Sequence, residues 1–280
     1  MSTPGDRFNH LVDIMRTLRA PDGCPWDRAQ TLQSLRPFLL EETYEALEAI
    51  DSGQMDHVRE ELGDLLFEVV FLAQVCDEAG AFSVSDAIET VATKLVRRHP
   101  HVFGEAERAR TAEEVLGRWQ ELKRDERAES GAAAKGLLAG VPKTLPGLLR
   151  AYEYGSRAAT SGFDWERASD VVAKIREEVD EIDEALAQSP GTDRAEEEIG
   201  DLLFAIANLS RKLRVEPESA LRRANDKFAT RFTELERRFA ERGVPMKEAG
   251  LETLEREWDA VKNREDDERG TQHGRGTRTR

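Results

Sequence analysis

The sequence has few cysteines, few aromatic residues and no long apolar run. Cys24 and Cys76 are the only cysteines among its 280 residues, and two cysteines so far apart predict neither a disulfide framework nor a zinc site. A membrane-spanning helix needs roughly 20 apolar residues, whereas the longest apolar stretch, 65–75, contains Glu68 and Gln74. The N-terminus is polar and lacks the apolar core of a signal peptide. We therefore expect a protein of the reducing cytoplasm with no membrane partner.

The sequence also lacks an excess of basic residues. Its 41 Lys and Arg residues are outnumbered by 56 Asp and Glu residues, which leaves a net charge of −15. Proteins that bind nucleic-acid polymers need a basic surface to contact the phosphates, so we expect no DNA or RNA partner. A small phosphate ligand bridged by cations is not excluded.

Long stretches consist of Glu, Leu, Ala and Arg with little Gly or Pro, a composition that favours helix. The alternation of β-branched and polar residues that is typical of strands is missing. We therefore predict an all-α protein with no sheet of consequence. In the first half the predicted helices span about 9–18, 31–50, 56–78, 83–99 and 111–127.

One pattern of charged residues and tryptophan occurs twice, in the same order. The first copy consists of Glu41, Glu42, Glu45, Glu61, Asp64, Lys94, Arg98, Trp119 and Lys123. The second copy consists of Glu177, Glu178, Glu181, Glu198, Asp201, Lys227, Arg231, Trp258 and Lys262. Corresponding residues lie 133 to 139 positions apart. An ordered series with a nearly constant offset indicates a duplicated domain.

The composition also predicts where the repeats begin and end. We predict a first repeat at 1–130 and a second at 147–263. The segment 131–146 is rich in Gly and Pro but short, so we expect a packed connector. The segment 264–280 is polar and almost free of apolar residues, which predicts a disordered tail.

The spacing of the acidic residues predicts a cation site. Glu177, Glu178 and Glu181 share one side of a helix, and Glu198 and Asp201 are three residues apart on the next, very apolar helix. Two carboxylates about 4 Å apart repel by roughly 4 kcal/mol at an effective dielectric constant near 20, so protons or cations must be bound. Oxygen ligands without Cys or His favour Mg²⁺, Mn²⁺ or Ca²⁺.

The basic residues of the second copy suit a phosphate ligand. Lys227 and Arg231 are one helical turn apart, as are Trp258 and Lys262. Cations with Lys and Arg could hold a polyphosphate, and an exposed Trp could stack on a base. Gly200 lies in mid-helix, where it costs about 1 kcal/mol relative to Ala, which makes sense if a group must approach the backbone closely.

Two other classes of protein compete with a cation–phosphate site as explanations of these residues. A single acidic motif of this kind is usually a solvated helix face, so the protein could be a non-catalytic helical interaction or regulatory protein with structural carboxylates. A carboxylate di-iron bundle would need Glu-x-x-His pairs on facing helices, and neither copy has a His at those places. The ordered repetition favours the cation–phosphate site.

Taken together, these motifs resemble the MazG family, nucleoside triphosphate pyrophosphohydrolases of the all-α NTP pyrophosphatase group. The resemblance includes residues 23–27 and 162–165 and covers all but the segment after about 264. It implies two tandem helical-bundle repeats that form a homodimer. It also implies hydrolysis of an NTP or dNTP to the monophosphate and pyrophosphate, dependent on Mg²⁺, with Mn²⁺ able to replace it.

The resemblance assigns roles to the second copy. The metal ligands fall on Glu178, Glu181, Glu198 and Asp201. The nucleotide contacts fall on Glu177, Lys227, Arg231, Trp258 and Lys262, of which Glu177, Lys227 and Arg231 would also take part in the reaction.

The first copy offers an equivalent set. Its metal ligands would be Glu42, Glu45, Glu61 and Asp64, and its nucleotide contacts Glu41, Lys94, Arg98, Trp119 and Lys123. Two-repeat members of the family are generally taken to use the C-terminal repeat, but neither copy here lacks a motif residue. Glu68 and Phe71 correspond to Ala205 and Asn208, and we consider that Asn208 could contact a base edge.

Overall fold

The computed structural model describes residues 2–104, 111, 114–115, 136–188 and 193–275, with the side chains of 188 and 265–275 left out. The chain divides into two compact units, Met1–Asp125 and Glu126–Arg280. The regular secondary structure of the described residues is entirely helical, which confirms the all-α prediction. Within those residues, no helix is both long and apolar enough to span a membrane. The predicted boundaries at 130, 146 and 263 stay predictions.

The first unit is built around a helical hairpin. The hairpin helices α3 and α4 pack against each other, and α1 and α5 pack on α4. Met15, Leu35, Val70 and Phe71 are fully buried in the core between them. The helices are α1 (Pro4–Arg19), α2 (Pro25–Ala29), α3 (Arg36–Ser52), α4 (Met55–Glu78), α5 (Val84–Arg98) and α6 (Pro100–Phe103). The helix predicted at 111–127 lies almost entirely outside the described residues.

The second unit contains a corresponding hairpin. Its helices are α7 (Gly147–Ala159), α8 (Ala168–Gln188), α9 (Asp193–Lys212), α10 (Pro217–Glu241) and α11 (Leu251–Arg275), with a short 3₁₀ helix at Met246–Glu248. The hairpin is formed by α8 and α9, α7 packs on α9, and α10 pairs with α11. Helix α11 continues to Arg275, into the segment where composition predicts a disordered tail.

The starts of α4 and α5 show where local capping chemistry decides and where it does not. Of the two serines that could begin α5, Ser83 and Ser85, the N-cap is Ser83: its hydroxyl accepts from the Asp86 amide at 3.3 Å and its own amide donates to the Asp86 carboxylate at 2.8 Å. Asp is a favoured N-cap residue, so the sequence predicts Asp56 as the cap of α4; this prediction is wrong because Gln54 is the N-cap. Gly53, with φ of 70°, turns the chain sharply enough for the helix to begin before Asp56. Asp56 instead lies in the first turn, where a negative charge favours the helix dipole.

Helices α7 and α9 approach closely at Gly155. Asn208 on α9 is 1% exposed, and its amide donates to the Phe204 carbonyl at 3.2 Å while its carbonyl accepts from Arg211 at 3.3 Å. A Cβ atom at Gly155 would overlap with the side-chain oxygen of Asn208. Asn208 therefore packs between two helices with its hydrogen bonds made, and the expectation that it contacts a base edge is wrong.

The contact at Gly155 predicts a stability difference between two glycine substitutions. We expect Gly155→Ala to lower the free energy of unfolding by about 1–3 kcal/mol, because overpacking displaces the fixed side chain of Asn208. In the control, Gly200→Ala, no described atom lies within 4 Å of the new Cβ. That change should leave stability unchanged or raise it by up to about 1 kcal/mol through helix propensity. Urea unfolding followed by circular dichroism measures both, and equal effects would contradict the prediction.

Candidate metal centre

Three carboxylates converge on the hairpin of the second unit. Glu178 on α8 and Glu198 and Asp201 on α9 each place one oxygen within 4.8 Å of the others. Glu178 is 3% exposed, whereas Asp201 is exposed and Glu198 is intermediate. The cluster thus reaches from the core to the surface, and a ligand from solvent can reach it at its exposed end, where Asp201 lies.

The buried end of this cluster fits a cation. One oxygen of Glu178, Oε2, is buried and has no hydrogen-bond partner, and an unsatisfied buried oxygen is costly, more so on a charged group. Its other oxygen pairs with Lys174 Nζ at 2.7 Å. The donor set consists of carboxylate oxygens without Cys or His, which suits hard divalent ions. The residues present are therefore compatible with the metal that the acidic pattern predicts.

Glu181, the fourth predicted ligand, lies beside the cluster rather than within it. Loss of hydration raises the pKa of Glu181, and repulsion from Glu198 and Glu178 raises it further. Because these two neighbours act on Glu181, its carboxylate is close enough to respond to a cation in the cluster.

The first unit builds the same arrangement. Glu42, Glu61 and Asp64 bring one oxygen each within 4.8 Å of one another. Desolvation raises the pKa of Glu42, and repulsion from Glu45 and Asp64 adds to it. The pKa of Glu61 is raised by desolvation and then by Glu45. Glu45 therefore has the relation to its cluster that Glu181 has in the second unit.

The predicted nucleotide contacts lie mostly on a different pair of helices. Lys227, which is exposed, and Arg231 are one turn apart on α10, and Trp258 and Lys262 are one turn apart on α11. The Trp258 ring is 5.3 Å from the ring of Phe228 on α10, so the aromatic contact joins the two helices. Lys262 pairs with Asp259 at 3.0 Å.

Four of the remaining predicted contacts are next to the acids or on α5. Glu177 is exposed on α8 beside Glu178 and pairs with Lys174 at 2.7 Å. In the first unit Glu41 precedes the cluster on α3, and Lys94 and Arg98 lie on α5. Trp119 and Lys123 lie outside the described residues.

Sequence reasoning missed the basic residues next to the acids of the second unit. Lys174 contacts both Glu177 and Glu178, and Arg194 lies 3.6 Å from Glu198. Both precede their partner by four residues or fewer on one helix, a spacing at which side chains meet. The signal was therefore present in the sequence.

The family model described as the MazG nucleotide pyrophosphohydrolase domain matches residues 30–103 and 167–235. The chain is 46% identical to a nucleoside triphosphate pyrophosphohydrolase of Escherichia coli (strain K12), over 94% of this chain and 99% of that protein. It is 43% identical to the nucleoside triphosphate pyrophosphohydrolase/pyrophosphatase MazG of Thermotoga maritima, over 94% and 98% respectively.

A crystal structure of a mazG-related protein from Thermotoga maritima is 29% identical, with 41% of this chain and 98% of that chain covered and a TM-score of 0.36. The two segments matched by the family model contain both acid hairpins and extend to Arg231. Trp258 and Lys262 lie beyond them.

The raised pKa values of Glu42, Glu61 and Glu181 predict how pH and Mg²⁺ change stability. A carboxyl with a raised folded-state pKa stabilises the fold fully below its unfolded pKa, and this contribution is lost as pH rises through the folded value. At neutral pH the acids therefore repel, and Mg²⁺ should raise the melting temperature. Below the ordinary glutamate value of 4.5 the shift should shrink, because protonated carboxyls bind cations poorly.

Differential scanning calorimetry, with EDTA or with Mg²⁺, measures the change in melting temperature at neutral pH and at a pH below 4.5. The double variant Asp64→Asn with Asp201→Asn is the control and should lose most of the shift at neutral pH. An Mg²⁺ shift of the same size at both pH values would contradict the expectation.

Proposed function

The chain belongs to the MazG nucleotide pyrophosphohydrolase family, and on this premise we propose that it hydrolyses nucleoside triphosphates to the monophosphate and pyrophosphate with a divalent cation. The observation that carries this proposal is the convergence of Glu178, Glu198 and Asp201 within 4.8 Å, with an unpartnered buried oxygen on Glu178. Mg²⁺ is the proposed cation, and Mn²⁺ can replace it, because both accept carboxylate oxygens and complete their shell with water and phosphates.

A divalent cation held by Glu178, Glu198 and Asp201, with Glu181 beside them, would activate water and neutralise charge on the triphosphate. The protein's own groups act around it. Glu177 is exposed next to Glu178, and we assign it the role of orienting or deprotonating the water that attacks the α-phosphorus. The bond from that phosphorus to the bridging oxygen breaks, and pyrophosphate leaves.

Helices α10 and α11 supply the other half of the proposed site. Lys227 and Arg231 would bind the phosphates and stabilise the negative charge that develops on the leaving pyrophosphate. Trp258 and Lys262 would hold the base and the phosphates from α11. Since Trp258 packs on Phe228 of α10, its ring is held by the same helix that carries Lys227 and Arg231.

We further propose a homodimer in which like repeats pair. Ile199, Leu203 and Ile206 form a stripe along α9 and are 48%, 46% and 37% exposed. The corresponding residues on α4 are similarly exposed and are Leu62, Leu66 and Val69. Contiguous apolar surface of this kind marks interaction sites, and its occurrence at equivalent positions in both units favours a symmetric partner, a second copy of the chain.

The first prediction from this proposal concerns the products. With NTP and Mg²⁺ we expect equal amounts of monophosphate and pyrophosphate, because water attacks the α-phosphorus. Anion-exchange chromatography identifies them. EDTA should abolish turnover, and Mg²⁺ or Mn²⁺ should restore it. Formation of diphosphate and orthophosphate would contradict attack at the α-phosphorus. If no nucleotide of a panel were hydrolysed, a non-catalytic interaction protein would be favoured.

The second prediction concerns assembly. We expect a homodimer at micromolar concentration, because pairing would bury the apolar stripes that α4 and α9 expose in the single chain. Light scattering after size exclusion measures the mass. Leu203→Glu should weaken the dimer by placing a charge in the stripe, with Arg7→Glu at an exposed position of α1, outside both stripes, as the control. A fully active monomer would contradict the proposal.

The third prediction concerns which repeat is catalytic. Asp201→Asn and Asp64→Asn each remove one negative charge from a cluster with little change in volume. If the second repeat is the working site, Asp201→Asn should lower kcat by about 10²-fold or more, as expected when metal-assisted stabilisation is lost. Asp64→Asn should retain most activity.

Steady-state kinetics measures both variants, and circular dichroism checks that each one folds. If each change halved the activity, the two repeats would be independent active sites and the asymmetric assignment would be wrong.

A further inference from the structure

The two acid clusters differ in the residue one turn before their first glutamate, which is Glu42 in the first unit and Glu178 in the second. In the second unit this residue is Lys174, whose Nζ lies 2.7 Å from an oxygen of Glu178 and 2.7 Å from an oxygen of Glu177. In the first unit the equivalent of Lys174 is Phe38, four residues before Glu42. Phe38 is half-buried against the core and its ring packs edge-on against Trp26 at 5.7 Å. The second cluster therefore has a positive charge at this position, where the first has an apolar ring.

The second glutamate of each cluster also has a different neighbour. Glu198 has Arg194 at 3.6 Å, whereas Glu61 has His57 at 3.5 Å. The guanidinium of Arg194 carries a permanent positive charge. The second glutamate therefore has a guanidinium beside it in the second cluster and an imidazole in the first.

A further acid lies behind the first cluster. Glu68 follows Asp64 by one turn on the same face of α4, is 6% exposed, and has a buried oxygen, Oε2, without a hydrogen-bond partner. Desolvation raises its pKa, and the one charged residue that raises it further is Glu42 of the cluster. The second unit has Ala205 at this position. A buried carboxylate that is repelled by Glu42 and has no hydrogen bond to its Oε2 is strongly unfavourable unless positive charge is bound nearby.

We propose that the first repeat is a cation site in its own right, which binds a divalent metal in the absence of nucleotide more tightly than the second repeat does. Glu42, Glu61 and Asp64 hold the ion, and Glu68 adds negative charge from the buried side. The second cluster is neutralised in part by Lys174 and Arg194, so it attracts a free cation less and depends on the oxygens of the triphosphate to complete the binding. The inference rests on the proposed function only in taking a divalent cation as the ligand.

The test is a titration of the full-length, EDTA-treated protein with Mn²⁺ alone, in which electron paramagnetic resonance measures the free ion. We expect two classes of site with affinities about tenfold or more apart. Asp64→Asn should remove the tighter class and Asp201→Asn the weaker one, which assigns each class to a repeat. Circular dichroism confirms that each variant is folded.

Two further variants test the residues that make the two sites differ in Mn²⁺ affinity. Glu68→Gln keeps the volume and removes the charge, so it should weaken the tighter class about tenfold and leave the weaker one unchanged. Lys174→Met removes the competing charge and should strengthen the weaker class alone. A Glu68 with a purely structural role would change the melting temperature without changing the Mn²⁺ affinity.

Three results would overturn the inference: classes of equal affinity, loss of the tighter class in Asp201→Asn, or no effect of Glu68→Gln on affinity. Nucleotide hydrolysis is assayed on the same samples. Turnover with the wrong binding pattern would reject this inference and leave the proposed function standing. The expected binding pattern without turnover on any nucleotide would reject the proposed function instead.

Discussion

The interaction on which the site depends is the mutual repulsion of carboxylates that the helical hairpins hold together. Glu178 is anchored in the core between α8 and α9, with one oxygen paired to Lys174 and the other without a partner. Packing of the hairpin keeps Glu198 and Asp201 within 4.8 Å of it. Hydrophobic contacts along the helices therefore hold together charges that would otherwise separate, and a site under such repulsion gains stability when a cation enters it.

The duplication has kept this arrangement in both halves while changing its electrostatic surroundings. The three acids are present twice, but the residue one turn before the first of them is Phe38 in one unit and Lys174 in the other. The buried acid Glu68 has Ala205 as its counterpart. Since each of these changes alters the charge of the cluster without altering its hairpin, the fold allows the two repeats to differ in how they bind cations and nucleotide.

Much of the fold and part of the site could be predicted because they depend on local spacing. Ser83 caps α5 because its hydroxyl and the Asp86 carboxylate reach each other's backbone amides within one turn. Glu198 and Asp201 are three residues apart, so any helix places them on one side. Asp56 shows the limit, since Gly53 set the start of α4 and a residue with good capping chemistry was left inside the helix. Asn208 shows another, because its polar side chain is occupied by Arg211, Phe204 and the close approach of Gly155.

The sequence by itself determined the helical class, the duplication and the set of acids, because composition, order and helical periodicity are properties of the chain alone. Only the tertiary structure decided that Glu178 is the buried acid with an unpartnered oxygen, that Glu181 lies beside the trio, and that Glu68 lies behind the first cluster. The physical reason is that burial and the distances between side chains on different helices depend on how those helices pack. A residue's spacing along the chain shows which side of its own helix it occupies, and the packing of α3 on α4 and of α8 on α9 determines what that side faces.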